Sequence, residues 1–163
     1  MSLEIFLKLD NVSGESKDED HEGEIELNSF HWGISHPSSV QNGWGSSTGQ
    51  ADVQDFSVSK FVDSASPKLA LFALNGATLG SGKVTFRKTA GDDKIEYFTY
   101  DLQDVFCTSV SVSGGGGDQV DENISFTARQ FVITYFPQNA DGTKGDKQQS
   151  GWDLATNKVA AGA

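Results

Sequence analysis

The sequence predicts a mainly β fold of antiparallel strands with one short α-helix over about residues 66–76. Three observations predict it. Apolar side chains alternate along several stretches, as Leu3, Ile5, Leu7 and Leu9 do, which is the period of a half-buried strand. Eighteen glycines and three prolines punctuate the chain, as turns between strands require. Only one stretch carries both a helix start and a helix stop. The 163 residues suit one domain with a real core. No internal repeat or linker divides it, so residues 1–163 read as a single unit.

Residues 3–9 form the first strand, with Glu4, Phe6 and Lys8 on the face opposite the leucines. Residues 11–23 (NVSGESKDEDHEG) are a charged loop. Strand returns over 24–35, but its phase slips: Ile25 and Leu27 face one way, Phe30, Trp32 and Ile34 the other. Such a slip means a bulge or burial of both faces. Residues 38–50 (SSVQNGWGSSTGQ) are a polar, glycine-rich excursion carrying Trp44, an aromatic suited to anchor a contact. A strand over 52–62 leads into the helix. Residues 82–89 and 93–112 read as a hairpin across Ala90, Gly91 and Asp92, the second strand bending near 107–109. Four glycines at 114–117 force a turn. A strong strand over 122–136 slips phase between Ala128 and Phe131. A polar turn over 138–150, a weak strand over 152–159 and a frayed end complete the chain.

The helix is bounded by Ser66, a residue able to cap the first turn, and Pro67, suited to the first helical position. Asn75 and Gly76 end it. Between them Leu69, Ala70, Leu71, Phe72, Ala73 and Leu74 are apolar on every side, whereas a surface helix of a lone domain has a polar face. Burying a Leu or Phe is worth roughly 1.5–3 kcal/mol. We expect one face to lie on the chain's own sheet and another on a neighbouring subunit; the alternative is a helix sunk in its own core. The two phase-shifted strands likewise suggest more apolar surface than one sandwich or barrel hides, and self-assembly resolves this.

Twelve basic and twenty-three acidic residues give a formal charge of −11, which repels phosphate backbones and anionic membranes. Nucleic acid and membrane insertion are therefore not expected. The N-terminus has no basic segment followed by an apolar core, so no secretory signal is read. The lone Cys107 reads as a buried thiol and excludes an internal disulfide. No enzyme emerges. The G-x-S-x-G match at 45–49 lacks the preceding strand and following helix of a nucleophile elbow. Asp18, Asp20 and Glu22 resemble half a calcium loop, but Ser29 stands where the bidentate Glu belongs. Residues 80–83 (GSGK) follow a helix instead of opening one, and Val84 replaces the magnesium-binding hydroxyl. His21, His31 and His36 have no ligand spacing. No catalytic residue, metal or cofactor is assigned.

Four stretches together resemble the Hcp family, the tube proteins of bacterial type VI secretion, whose fold is similar to that of phage tail-tube proteins. They are 14–18 (GESKD) with His21 and Ile25; Phe30, Trp32 and Gly33; 56–76 with Asp63 and 66–69 (SPKL); and 133–135 (ITY) with Asp141, Gly142 and 151–154 (GWDL). They occur in order along nearly the whole chain. The resemblance implies a β-barrel of two antiparallel sheets flanked by the helix. It also implies hexameric rings, stacked into a tube that a sheath drives and a spike caps, with small effectors as cargo. Synthesis in the bacterial cytoplasm and export through the apparatus itself follow from it.

On that footing Leu69, Leu71, Phe72, Leu74 and Phe131 are expected at the within-ring interface. Val40, Asn42 and Trp44 are expected to reach an adjacent ring, and strand faces carrying Ser, Thr, Gln and acids to line the channel. The competing expectation is a monomeric or dimeric β-sandwich that binds carbohydrate through Trp32, Trp44 and Trp152.

Overall fold

In this computed structural model residues 2–37 and 50–163 are described. In chain order the elements are β1 (Ser2–Leu9), β2 (Ile25–Leu27), β3 (Ser29–His31), β4 (Ile34–Ser35), β5 (Asp52–Val53), β6 (Phe56–Phe61), α1 (Ser66–Asn75), β7 (Gly80–Ala90), β8 (Asp93–Ser113), β9 (Asp121–Tyr135), β10 (Gln148–Asp153) and β11 (Lys158–Val159). All the pairings are antiparallel. The main sheet runs β11-β10-β9-β8-β7-β1-β2, and β3 and β6 join it through β9. β4 and β5 form a separate pair at the base of the 38–49 excursion.

The phase slip in the second strand has a simple cause. Leu27 ends a segment paired with β1, and Ser29 begins one paired with β6. Asn28 lies between and donates its amide to Ser59. The chain therefore changes partners there, and its apolar side changes with it. This crossing links the β2 end of the path to β9 through β3 and β6, around one core of Leu7, Ile25, Phe56, Val84, Leu102 and Phe126, among others, without closing the expected barrel.

The long β8–β9 ribbon bends at one place. Leu102 and Val105 both face the core although three residues apart, as do their partners Phe131 and Ala128. Asp104, at φ 51°, supplies the turn of the backbone; Asp tolerates this left-handed region better than most side chains do. Opposite it Arg129 donates to its carboxylate at 3.0 Å. On one side of this kink β9 pairs with β6, on the other with β10. A second irregularity falls between Cys107 and Ser109, where a bend is expected. Burial at Cys107 pushes its thiol pKa up.

The helix corrects one expectation. Ala65, not Ser66, holds the N-cap position, and no side chain caps the first turn. Ser66 lies just inside, and its hydroxyl turns inward to a buried polar cluster. It accepts from Lys60 Nζ at 3.0 Å and from the Asp63 amide, and donates to Glu122 Oε2. Lys60 and Glu122 are each only 1 % exposed and lie 2.8 Å apart. Asp63 adds a second carboxylate at 2.7 Å from Lys60. At the other end Gly76 takes φ 67° and donates its amide to Phe72, as expected of a left-handed stop.

Candidate assembly surfaces

Two faces of the chain are candidate assembly surfaces. The first is the outer side of α1. Leu69 is fully buried, and Phe72 and Ala73 pack against the core. Leu71 and Leu74 remain 55 % and 85 % exposed. They are three positions apart and so share one face. A helix apolar all round is thus covered on one side only. Of the residues expected at a subunit interface, Leu69 and Phe131 belong to the chain's own core, which leaves them no surface to offer. Phe72 is half-buried, and Leu71 and Leu74 form the free ridge. Val40, Asn42 and Trp44 lie outside the described residues.

The second face is the outer side of β3, β6, β9 and β8. Ser29, Ser59, Asn123 and Ser111 align in one row across the four strands, and His31, Ser57, Ser125 and Ser109 in the next. The Ser29 and Ser59 hydroxyls bond to each other; those of Ser57 and Ser125 are 3.4 Å apart. Hydroxyl, amide and imidazole groups thus pave these two rows, and the next row outward holds Phe61, Asp121 and Ser113. The sequence signal for it is Ser at alternate positions on the face opposite Phe56, Val58, Ile124 and Phe126.

A third region explains why Phe6, on the polar side of β1, is only 3 % exposed. The 10–24 loop folds over this side. His21 stacks on Phe6 with ring centroids 4.2 Å apart. Its Nδ1 lies 2.8 Å from Glu24 and its Nε2 2.7 Å from Glu96. Arg87, 1 % exposed, lies over the Phe6 ring and forks onto Asp18 at 2.9 and 2.6 Å, while its Nε reaches Glu4 at 2.8 Å. The fork lowers the Asp18 pKa well below the usual carboxylate range, and Asp18 in return raises that of Arg87. Glu4 is also lowered, chiefly by the Thr89 hydroxyl and then by Arg87. Asp18 is therefore an anchor for the loop, and the partial calcium-loop resemblance has a structural explanation. Among the described residues no group of three His, Cys, Asp or Glu side chains is placed to hold a metal.

The sequence family described as "Type VI secretion system effector, Hcp" matches residues 6–135. The chain belongs to the Hcp family. Protein hcp1 of Pseudomonas aeruginosa is 36% identical over 159 residues, 96% of this chain and 98% of that one. A solved type six secretion system protein superposes with a TM-score of 0.90 at 34% identity, covering 98% of this chain and 100% of its own. Hcp1 from Salmonella typhimurium gives 0.79 at 26% identity, over 98% and 100% of the two chains. The Hcp assignment makes this a tube protein of type VI secretion. The motif residues quoted for the resemblance now have physical roles. Gly14 is a Gly because a Cβ would collide with the Glu24 backbone, and Asp18 and His21 fasten the loop. Nothing supports the carbohydrate-binding alternative: Trp32 is stacked against Phe56 inside an aromatic cluster with Tyr100 and Phe131. Among the described residues no helix is long and apolar enough to cross a membrane.

Proposed function

We propose that this chain is the ring-forming subunit of the tube: six copies close laterally through the α1 ridge, and rings stack into a channel. The supporting observation is the ridge itself. Leu71 and Leu74 are exposed on a helix whose opposite side is core, an arrangement that wastes several kcal/mol unless a neighbour covers it. The serine-paved face of β3, β6, β9 and β8 lines the channel, because a polar sheet lets varied small effectors pass without holding them. Val40, Asn42 and Trp44 contact the adjacent ring. The partners are further copies of the chain, the spike and sheath components and effector cargo. The chain is made in the bacterial cytoplasm and leaves through the apparatus. The role is structural and not catalytic.

Light scattering on the eluting protein tests the reading, and the expected mass is six times 17.5 kDa. Leu71→Glu should give a folded monomer, because the side chain is exposed in the single chain but would place an unpaired carboxylate in the contact. Monodisperse monomers of the unmodified chain at moderate concentration would overturn the proposal.

A further inference from the structure

We infer that the 10–24 loop is a strap whose clasp is a doubly protonated His21, and that alkali opens it by taking one ring proton. The clasp is built within one chain and needs no second copy, so it stands apart from the ring reading.

Hydrogen bonding sets the protonation state. The His21 ring is 5 % exposed and lies flat on Phe6, at an interplanar angle of 8°. Its two nitrogens face two carboxylates: Nδ1 is 2.8 Å from Glu24 Oε2, and Nε2 is 2.7 Å from Glu96 Oε1. An ionised carboxylate only accepts, and a neutral imidazole has a single N–H. A neutral ring would therefore set a bare nitrogen lone pair against a carboxylate oxygen in a buried place. The imidazolium donates on both sides, and charge-assisted bonds of this kind are short. Moving the proton onto Glu24 or Glu96 leaves the count unchanged. The clasp holds one proton more than a neutral ring and two carboxylates do.

The surrounding charges favour that extra proton. Glu4 of β1 and Glu96 of β8 flank Arg87 in register. Asp18 and Asp20 approach Arg87 from the loop, and Glu26 of β2 stands opposite Phe6. With Glu24 these carboxylates outnumber the cations beside them, Arg87 and Lys94. Arg87 is engaged by Asp18 and Glu4, and Lys94 lies 3.5 Å from Asp18. Among the described residues only His21 pairs with Glu24 or Glu96.

Within the loop, Gly14 bonds to Gly23 and Ser16 to Glu24 through the backbone, so the loop keeps its own shape. Its charged ties to the strands beneath run to two places. Asp18 and Asp20 hold Arg87, with Lys94 on Asp18, and His21 holds Glu96. The folded chain offers the His21 proton two acceptors, and the unfolded chain offers none. That tie is therefore fully present below the ordinary His value of about 6.5 and is lost as rising pH removes the proton. The Asp18 tie has the opposite sign and is lost in acid. The strap is thus fastened at both ends only in the window between.

Trypsin reads the clasp, because Lys17 is exposed and the bond after it lies between the two ties. Cleavage of a folded chain at such a bond follows local opening. The rate at which the fragment starting at Asp18 appears is measured by mass spectrometry, relative to an unfolded peptide of residues 11–24 digested alongside. For the unmodified chain this relative rate is expected to rise about tenfold or more between about pH 6.5 and about pH 9.5. His21→Phe keeps a ring on Phe6 but donates nothing, and should be cut fast at both values with no step. Glu24→Gln with Glu96→Gln can bond to a neutral imidazole, and should be cut slowly at both. A flat profile for the unmodified chain would overturn the inference. So would a step that survives in His21→Phe, slow cutting of that variant, or an undiminished step in the double Gln variant.

Discussion

Arg87 is the residue on which the 10–24 loop depends. Its guanidinium is buried, and its donors are held by Asp18 and Glu4 with the Phe6 ring beneath. Arg87→Met keeps most of the side-chain volume but leaves two carboxylates without their partner. A loss of about 3–5 kcal/mol is expected from urea unfolding. The pH dependence follows from the same fork. Asp18 has a lowered pKa in the folded chain, so its contribution is fully present above the ordinary carboxylate value of about 4 and is lost as pH falls toward the folded value. The urea midpoint should therefore drop between about pH 5 and about pH 2. Asp18→Asn should lower the midpoint at neutral pH and flatten that drop; an equally steep fall would assign the acid sensitivity to other groups. None of this pairing was legible in the sequence. Asp18 and Arg87 are 69 positions apart, and a charged run such as 15–24 reads as solvated until its fold brings a buried cation over it. The loop itself was legible, as were the turns at 90–92 and the stop at Gly76, because those depend on neighbours along the chain.

At the scale of single elements, α1 and the β8–β9 ribbon behave differently. The helix is held at its start by the Lys60–Glu122 pair, whose two members are nearly excluded from water. Breaking such a pair from one side costs more than replacing it whole. Lys60→Met should therefore destabilise by about 3–5 kcal/mol, and adding Glu122→Leu should recover part of that loss. Additive losses in a double-mutant cycle would show that the two charges act independently. In the ribbon, the conformation of Asp104 swings both strands so that three-apart residues face one core. Asp104→Val should cost about 1–2 kcal/mol, since a β-branched side chain fits this region poorly, whereas Asp104→Gly should cost far less. Both slips of phase were visible in the sequence, at Asn28 and between Ala128 and Phe131, but their causes were not. One is a change of strand partner and the other a backbone angle, and neither leaves a signature in residue type. The helix shows the opposite balance: its extent and its excess of apolar surface were readable, but not which leucines stay outside, because Leu69 and Leu71 are chemically alike and only the direction of the helix on the sheet separates them.

For the whole molecule the opposing terms are apolar contact and accumulated charge. Six copies at −11 each would bring −66 formal charges into one ring, and stacking would add as many again. Counter-ions shorten the reach of that repulsion, with a Debye length of about 30 Å at 0.01 M salt and about 8 Å at 0.15 M. Apolar burial in the ridge contact is not weakened over this range. If copies join through the apolar ridge, screening removes only the unfavourable part of the balance, and assembly should strengthen as salt rises. If they join through acid–base pairs across the contact, the same screening removes the favourable part and assembly should weaken. Sedimentation of dilute protein at about 20 and about 300 mM sodium chloride separates these cases. The expected result is a larger ring fraction at the higher salt, with the folded monomer's circular dichroism unchanged. A smaller fraction would shift the contact from the leucine ridge to charged side chains such as Lys68 and Lys147, and with it the reason for expecting a ring at all.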